Sequence, residues 1–376
     1  MNRPLSGIRV IEMAGIGPAP FCAMMLADMG AEVIRIDRLK AGPLGGGGTL
    51  VDRGKHSIAL DIKQADAKAI LEQLITKSDI LIEGFRPGVM EKLGFGPDDC
   101  FALNPKLVYG RMTGWGQTGP LAPTAGHDLN YIAISGALHA MGKAGEPPTP
   151  PLHLVGDMGG GSMMLAYGIV CALFEAQRSG AGQVVDAAIC NGASTLSTMY
   201  YALMQQGRWT LEREANLLDG GAPFYACYRC ADDKYVAVGA IEPQFYQLLL
   251  ERGGFTDPIF QEQMNQALWP EQKQRFTELF LTKTQQEWCE RLEGTDACFS
   301  PVLNFEEAAQ YPHNQARDAY ITLDGVACPA PSPRLSRTPA MAGEVTPAGA
   351  QTQDILIELG YTQDEIEGFR AQQMIY

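Results

Sequence analysis

Two polar clusters hold the residue types best suited to moving protons. They are Gly126-His127-Asp128-Leu129-Asn130-Tyr131 and Gly156-Asp157-Met158-Gly159-Gly160-Gly161. Each stands before an apolar run of small residues, 132–138 and 163–170, so each is expected where a helix begins. A helix start exposes unpaired N–H groups and a partial positive charge, which suit a carboxylate cap and a bound anion alike. An imidazole at 127 and a carboxylate at 157 can serve as two bases on opposite sides of one carbon. Plainer readings exist. Asp157 before three glycines is a standard N-cap, contributing about 1 kcal/mol. A histidine beside a helix start is commonly structural, and Asp128 could orient its ring or cap the next helix. Glu242 ahead of Pro243 is ordinary at a first helical turn.

The elements that must position these residues alternate in type. Residues 7–13 read as a buried strand, 14–20 as a small-residue loop, 21–29 as a helix closed by Gly30, and 32–37 as a second strand. This βαβ unit starts a parallel, helix-covered sheet. The loop lacks GxGxxG, so a nicotinamide cofactor is not expected. The glycines 45–48 lack the following GK[ST] of a phosphate-binding loop. Strands at 57–61, 79–83, 107–112 and 183–189 extend the sheet, with a helix at 64–77 and another at 191–206. Ligands bind such sheets outside the carboxyl ends of the strands, where Arg38, Gly84, Arg86 and Gly116 fall. The expected organisation is a large Rossmann-like α/β domain over 1–190 completed by 328–376. A linker at 191–223 leads to a smaller α+β domain at 224–327. In that domain paired strands at 224–229 and 234–241 precede helices at 243–253, 270–282 and 284–293 and a strand at 298–304. The Pro-, Ala- and Gly-rich stretch 328–350 returns over the surface to a closing helical hairpin.

Composition narrows the function classes. A net charge of −14 argues against nonspecific nucleic-acid binding, which rests on phosphate neutralisation. Residues 35–63 nevertheless hold six cations, Arg35, Arg38, Lys40, Arg53, Lys55 and Lys63, against three carboxylates, Asp37, Asp52 and Asp61. Such an island suits a small polyanion, or is simply a solvated face. No apolar stretch reaches the roughly 18 residues that span a bilayer, and no signal-peptide region opens the chain, so cytoplasmic residence is expected. Nine scattered cysteines fit a reducing compartment. Cys227 and Cys230 have redox or half-zinc spacing, but nothing nearby completes a metal site.

Residues 5–135 and 150–245, together with Pro333-Arg334-Leu335-Ser336-Arg337-Thr338-Pro339 and the closing helices, resemble CoA-transferase family III and, within it, the α-methylacyl-CoA racemases. The general motifs are Glu83-Gly84-Phe85-Arg86-Pro87-Gly88 and Gly114-Trp115-Gly116-Gln117-Thr118-Gly119-Pro120. The discriminating ones are Gly126-His127-Asp128-Leu129-Asn130-Tyr131 and Gly239-Ala240-Ile241-Glu242-Pro243-Gln244-Phe245-Tyr246. Racemases carry His second in the first of these, where the transferases as a rule do not. Both groups share the aspartate matching Asp157.

The resemblance implies a CoA-transferase family III fold and an isomerase that interconverts (2R)- and (2S)-2-methyl-branched acyl-CoA esters. The reaction would run by 1,1-proton transfer through an enolate, with no metal or redox cofactor. His127 would be the base for the S epimer and Asp157 for the R epimer, with Glu242 orienting His127 from its own subunit or across a dimer interface. The positions matching Arg38, Ala59, Leu60, Lys63, Gly84 and Arg86 hold the nucleotide part of CoA in the family. Gly126, Asp128, Asn130 and Tyr131 complete the substrate-binding set. Backbone N–H groups near Met158 and Gly159 are candidates to hold the enolate oxygen. Met112, Met158, Met163, Met164, Met199 and Met204 form an adaptable acyl surface or simple core. The family forms interlocked homodimers. The alternative is a family III CoA-transferase in which Asp157 is a nucleophile forming an acyl-enzyme anhydride.

Overall fold

The computed structural model describes residues 3–40 and 47–376. Residues 43–46 of the glycine-rich loop lie outside them. The chain folds into two compact units, one made of Met1–Ser135, Leu152–Leu196 and Ala316–Tyr376, the other of Gly136–Pro151 and Ser197–Gln315. These boundaries correct the expected ones. Residues 136–151 leave the large unit, 316–327 join it, and no linker runs over 191–223. Small, turn-rich stretches look alike whether they join two bodies or belong to one.

The first unit is built on a six-stranded parallel sheet. Its strands are β1 (Arg9–Met13), β2 (Glu32–Asp37), β3 (Lys55–Ala59), β4 (Ile80–Glu83), β5 (Val108–Thr113) and β6 (Val184–Ala188), in the order β3-β2-β1-β4-β5-β6. Ile11 of β1 stands in register with Ile34 of β2 on one side and Leu81 of β4 on the other. Side chains alternate across the sheet, as a period of two requires. Ile11, Ile34, Leu81 and Tyr109 pack on one face against Ile70, Leu71 and Leu74 of α2 (Ala65–Thr76) and against the C-terminal Leu356, Ile366 and Met374. Val10, Val33, Ile82 and Val108 pack on the other face. There they meet Cys22, Ala23 and Leu26 of α1 (Pro18–Asp28) and Leu165, Ile169 and Leu173 of a later helix. Burial on both faces explains the near-continuous apolar strands. The chain reverses direction across the sheet between β1 and β4, which opens a crevice at their carboxyl ends.

Short helices α3 (Val89–Leu93) and α4 (Pro97–Leu103) precede β5, and α5 (Asp128–Ile134) follows it. A wide, π-helical segment, Leu154–Met163, runs directly into α6 (Met164–Ser179). Together they make 26 helical residues apolar enough to span a bilayer by length and composition, contrary to expectation. In the fold one side of α6 is sheet-packed core. The helix expected at 191–206 is two helices, α7 (Ile189–Leu196) and α8 (Thr198–Gln205).

The second unit holds an antiparallel sheet of β7 (Tyr225–Arg229), β8 (Tyr235–Gly239) and β9 (Phe299–Val302). Its helices α9 (Pro243–Gly253), α10 (Trp269–Phe280) and α11 (Gln285–Leu292) surround an aromatic core of Phe224, Phe255, Phe260, Phe276, Phe280 and Trp288. Cys227 is exposed and Cys230 buried, and both thiols are free. Burial, with Asp232 behind it, pushes the Cys230 thiol up to about 11, the opposite of a redox-active cysteine.

Half of the expected basic island is internal. Arg35 pairs with Asp37 at 2.7 Å and Asp52 at 2.5 Å, Arg53 with Asp28 at 2.6 Å, and Lys55 with Glu12 at 2.7 Å, all buried. Only Arg38, Lys40 and Lys63 of the six cations are exposed. The buried pairs instead anchor the returning C-terminal segment. Arg35 donates to the Thr346 carbonyl, Arg53 to that of Pro329, and the Thr346 hydroxyl donates to the Lys55 carbonyl.

Candidate active site

His127 is the N-cap residue of α5, as its position before an apolar run required. The Asn130 side-chain oxygen accepts the His127 backbone N–H at 3.0 Å, which fixes the chain's entry into the helix. The Tyr131 hydroxyl donates back to the Gly126 carbonyl, and its ring meets Trp115 edge-on at 4.7 Å. Gly126, Asn130 and Tyr131, expected to touch substrate, therefore spend these groups on holding the exposed His127 corner.

Asp157 does not cap a helix. The helical segment begins three residues earlier, at Leu154, so Asp157 sits within its first wide turn. The triple glycine that suggested a cap serves helix crossing instead. A Cβ on Gly192 of α7 would lie within 1.8 Å of the Gly160 carbonyl oxygen, so the two backbones touch. The Met158 N–H donates to the His153 carbonyl at 3.1 Å and is not available for an enolate oxygen. Asp128 accepts the Asp157 N–H at 2.6 Å through Oδ1. Wide turns of this kind occur frequently at functional sites.

The Asp157 carboxyl faces the loop after β1, where a Cβ on Gly17 would be 3.4 Å from its Oδ2. Ser162 ties the same segment to that loop by donating to the Pro18 carbonyl at 2.8 Å. Asp157 thus stands at the carboxyl end of β1, beside the crevice. Burial, and then the neighbouring Asp128 charge, push its carboxyl up to about 6, while His153 and His127 pull the other way. The His127 imidazole is thus close enough to act on the Asp157 charge. A carboxyl half-ionised near pH 6 can both take and return a proton. Sequence reasoning missed His153 and the Gly17 loop. Only the clustering of small residues at 14–20 pointed to the latter.

Of the expected nucleotide contacts, Arg38 follows β2, Lys63 follows β3, and Gly84 and Arg86 follow β4, all four exposed at carboxyl ends of strands. The β4 loop is pre-set. The buried Glu83 carboxylate accepts the Phe85 N–H at 2.7 Å and Arg111 Nε at 2.9 Å, and Arg111 reaches on to Glu91 of α3. Ala59 and Leu60 are buried, and their N–H groups donate to the Thr352 hydroxyl and the Asp37 carbonyl. Glu242 belongs to the second unit, where it is exposed at the N-cap position of α9 without capping it by its side chain. Among the described residues no three His, Cys, Asp or Glu side chains converge to hold a metal ion.

The chain is similar to known proteins over nearly its whole length. The sequence pattern of CoA-transferase family III matches residues 5–352. The chain is 47% identical to alpha-methylacyl-CoA racemase of Mus musculus, covering 99% of this chain and 97% of the mouse protein. Identity to the Homo sapiens protein of the same name is 44%, with the same coverage. A CAIB/BAIF family protein from Brucella suis shares the fold, with a TM-score of 0.82 over 96% of this chain and 100% of that one at 22% identity.

Proposed function

The chain belongs to CoA-transferase family III, and from that premise we propose that it is an isomerase interconverting (2R)- and (2S)-2-methyl-branched acyl-CoA esters. The observation that carries the reading is a part-buried Asp157 carboxyl raised to about 6, with the His127 imidazole acting on its charge. The similarity to the mouse and human racemases supports it over nearly the whole chain. His127 takes the α-proton of the S epimer and Asp157 that of the R epimer, each returning a proton to the opposite face of the planar enolate. Glu242 is an exposed carboxylate not spent on its own helix, and for it we keep the role of orienting His127 that the family resemblance implies. Incubating a single-epimer 2-methylacyl-CoA in deuterated water tests the proposal. Racemisation with α-deuteration is the expected result. Absence of exchange, with CoA passing instead to an added carboxylate, would establish Asp157 as the nucleophile of a transferase.

For CoA itself we propose Arg38, Lys63 and Arg86 as phosphate-facing cations, with Ala59, Leu60 and Gly84 shaping the adjoining pocket. Arg86→Ala should weaken binding of free CoA by about 10- to 100-fold, matching about 1.5–3 kcal/mol for a charged hydrogen bond. Unchanged affinity by calorimetry would remove Arg86 from the site. We also propose a homodimer in a reducing, cytoplasmic setting that suits nine free thiols. Met163, at the end of the wide segment, and Tyr167, Val170 and Phe174 of α6 form an exposed apolar stripe at helical spacing, to be covered by a second copy. Light scattering should give twice the 40.7 kDa of one chain; a monomeric mass refutes the pairing.

A further inference from the structure

Asp128 was expected to touch substrate, yet its carboxylate is committed within the protein. Oδ1 accepts the Asp157 N–H at 2.6 Å, across 29 residues of chain. Gly156 makes room for this contact, since a Cβ there would lie 2.2 Å from the same oxygen and 2.8 Å from Ile132. The first N–H groups of any helix lack partners, and the residue before it usually supplies one. Here His153 gives no side-chain cap, and a carboxylate from a different helix takes that place.

We propose that Asp128 is a positioning residue for Asp157, clamping its N–H so that the wide turn presents the Asp157 carboxyl to substrate. The proposal rests on the proton-transfer reading above. The charge of Asp128 also matters, because it faces Asp157 together with His127, His153 and Tyr131. Arg86 from the β4 loop and Cys190 from α7 lie around Tyr131. Within this set Asp128 supplies the second carboxylate, and after burial it is the larger influence raising the Asp157 carboxyl.

Two variants separate the clamp from the charge. Asp128→Asn keeps an acceptor oxygen and removes the charge, while Asp128→Ala removes both. In Asp128→Ala, kcat for racemisation should fall on the order of a hundredfold with KM little changed, as displacement by about 1 Å can cause. Asp128→Asn should recover most of that loss. It should also shift the ¹³C-carboxyl NMR titration of Asp157 to lower pH, and with it the acid limb of the R-epimer reaction, where Asp157 is the base. A raised KM at unchanged kcat in Asp128→Ala, or an Asp157 titration identical in Asp128→Asn and the parent, overturns the assignment. The titration is read without substrate. It therefore decides the role of Asp128 even if the parent protein exchanges no α-proton, the result that would remove the proton-transfer reading instead.

Discussion

In deuterated water, Asp157→Asn should exchange the α-proton of the (2S) ester with retention and leave the (2R) ester untouched. His127 still reaches one face of the carbon, but no group remains to deliver a proton to the other. His127→Ala should show the mirror pattern, exchanging only the (2R) ester. Net inversion should fall by about 10²- to 10⁴-fold in each, the range for loss of a general acid or base. The pH dependence follows from the Asp157 carboxyl at about 6. In the R-to-S direction it must be ionised, so kcat/KM rises with pH through that value. In the opposite direction it must carry the proton, so kcat/KM declines above it. Undiminished inversion in either single variant would remove that residue from the reaction.

Lys55→Met is expected to lower stability by about 3–5 kcal/mol, because it leaves a buried carboxylate without its partner. Glu12 and Lys55 are both buried, 2.7 Å apart, and the Lys55 ammonium also donates to the Pro20 carbonyl in the first turn of α1. Burial raises the Glu12 carboxyl above its ordinary value, with Lys55 and then Arg35 acting against that. Removing Lys55 raises it further. A carboxyl whose folded value lies above its unfolded one loses stability as pH climbs from the unfolded toward the folded value. The deficit of Lys55→Met should therefore shrink in acid, and Glu12→Gln added to it should restore part of the loss. Denaturant melts across that pH range make the measurement. A deficit that is independent of pH would mean Glu12 is not the strained group.

Local spacing made part of this molecule readable from its amino-acid pattern. Strands 7–13 and 32–37 and the helix 243–253 emerge at or near their observed positions, because their apolar spacing and bounding Gly and Pro act locally. His127 at a helix start was readable for the same reason. The setting of Asp157 was not, since a wide turn leaves no compositional trace and its N–H partner comes from 29 residues away. The cations of 35–63 misled because a charge tally ignores burial. Arg35, Arg53 and Lys55 sit opposite acids contributed by β2, α1 and β1. The placement of 136–151 with 197–315 depends on packing between segments far apart in sequence, which no local spacing encodes.

The last residues of the chain carry a consequence for its synthesis. Met374 and Ile375 are buried in the same cluster as Ile11 of β1, and the Asp61 N–H is held by the Met374 carbonyl. A ribosome thus finishes residues 197–315 while the opening strands still await their final wall. The later-made body can close first, and a message truncated by even a few codons leaves an open flank on the earlier one.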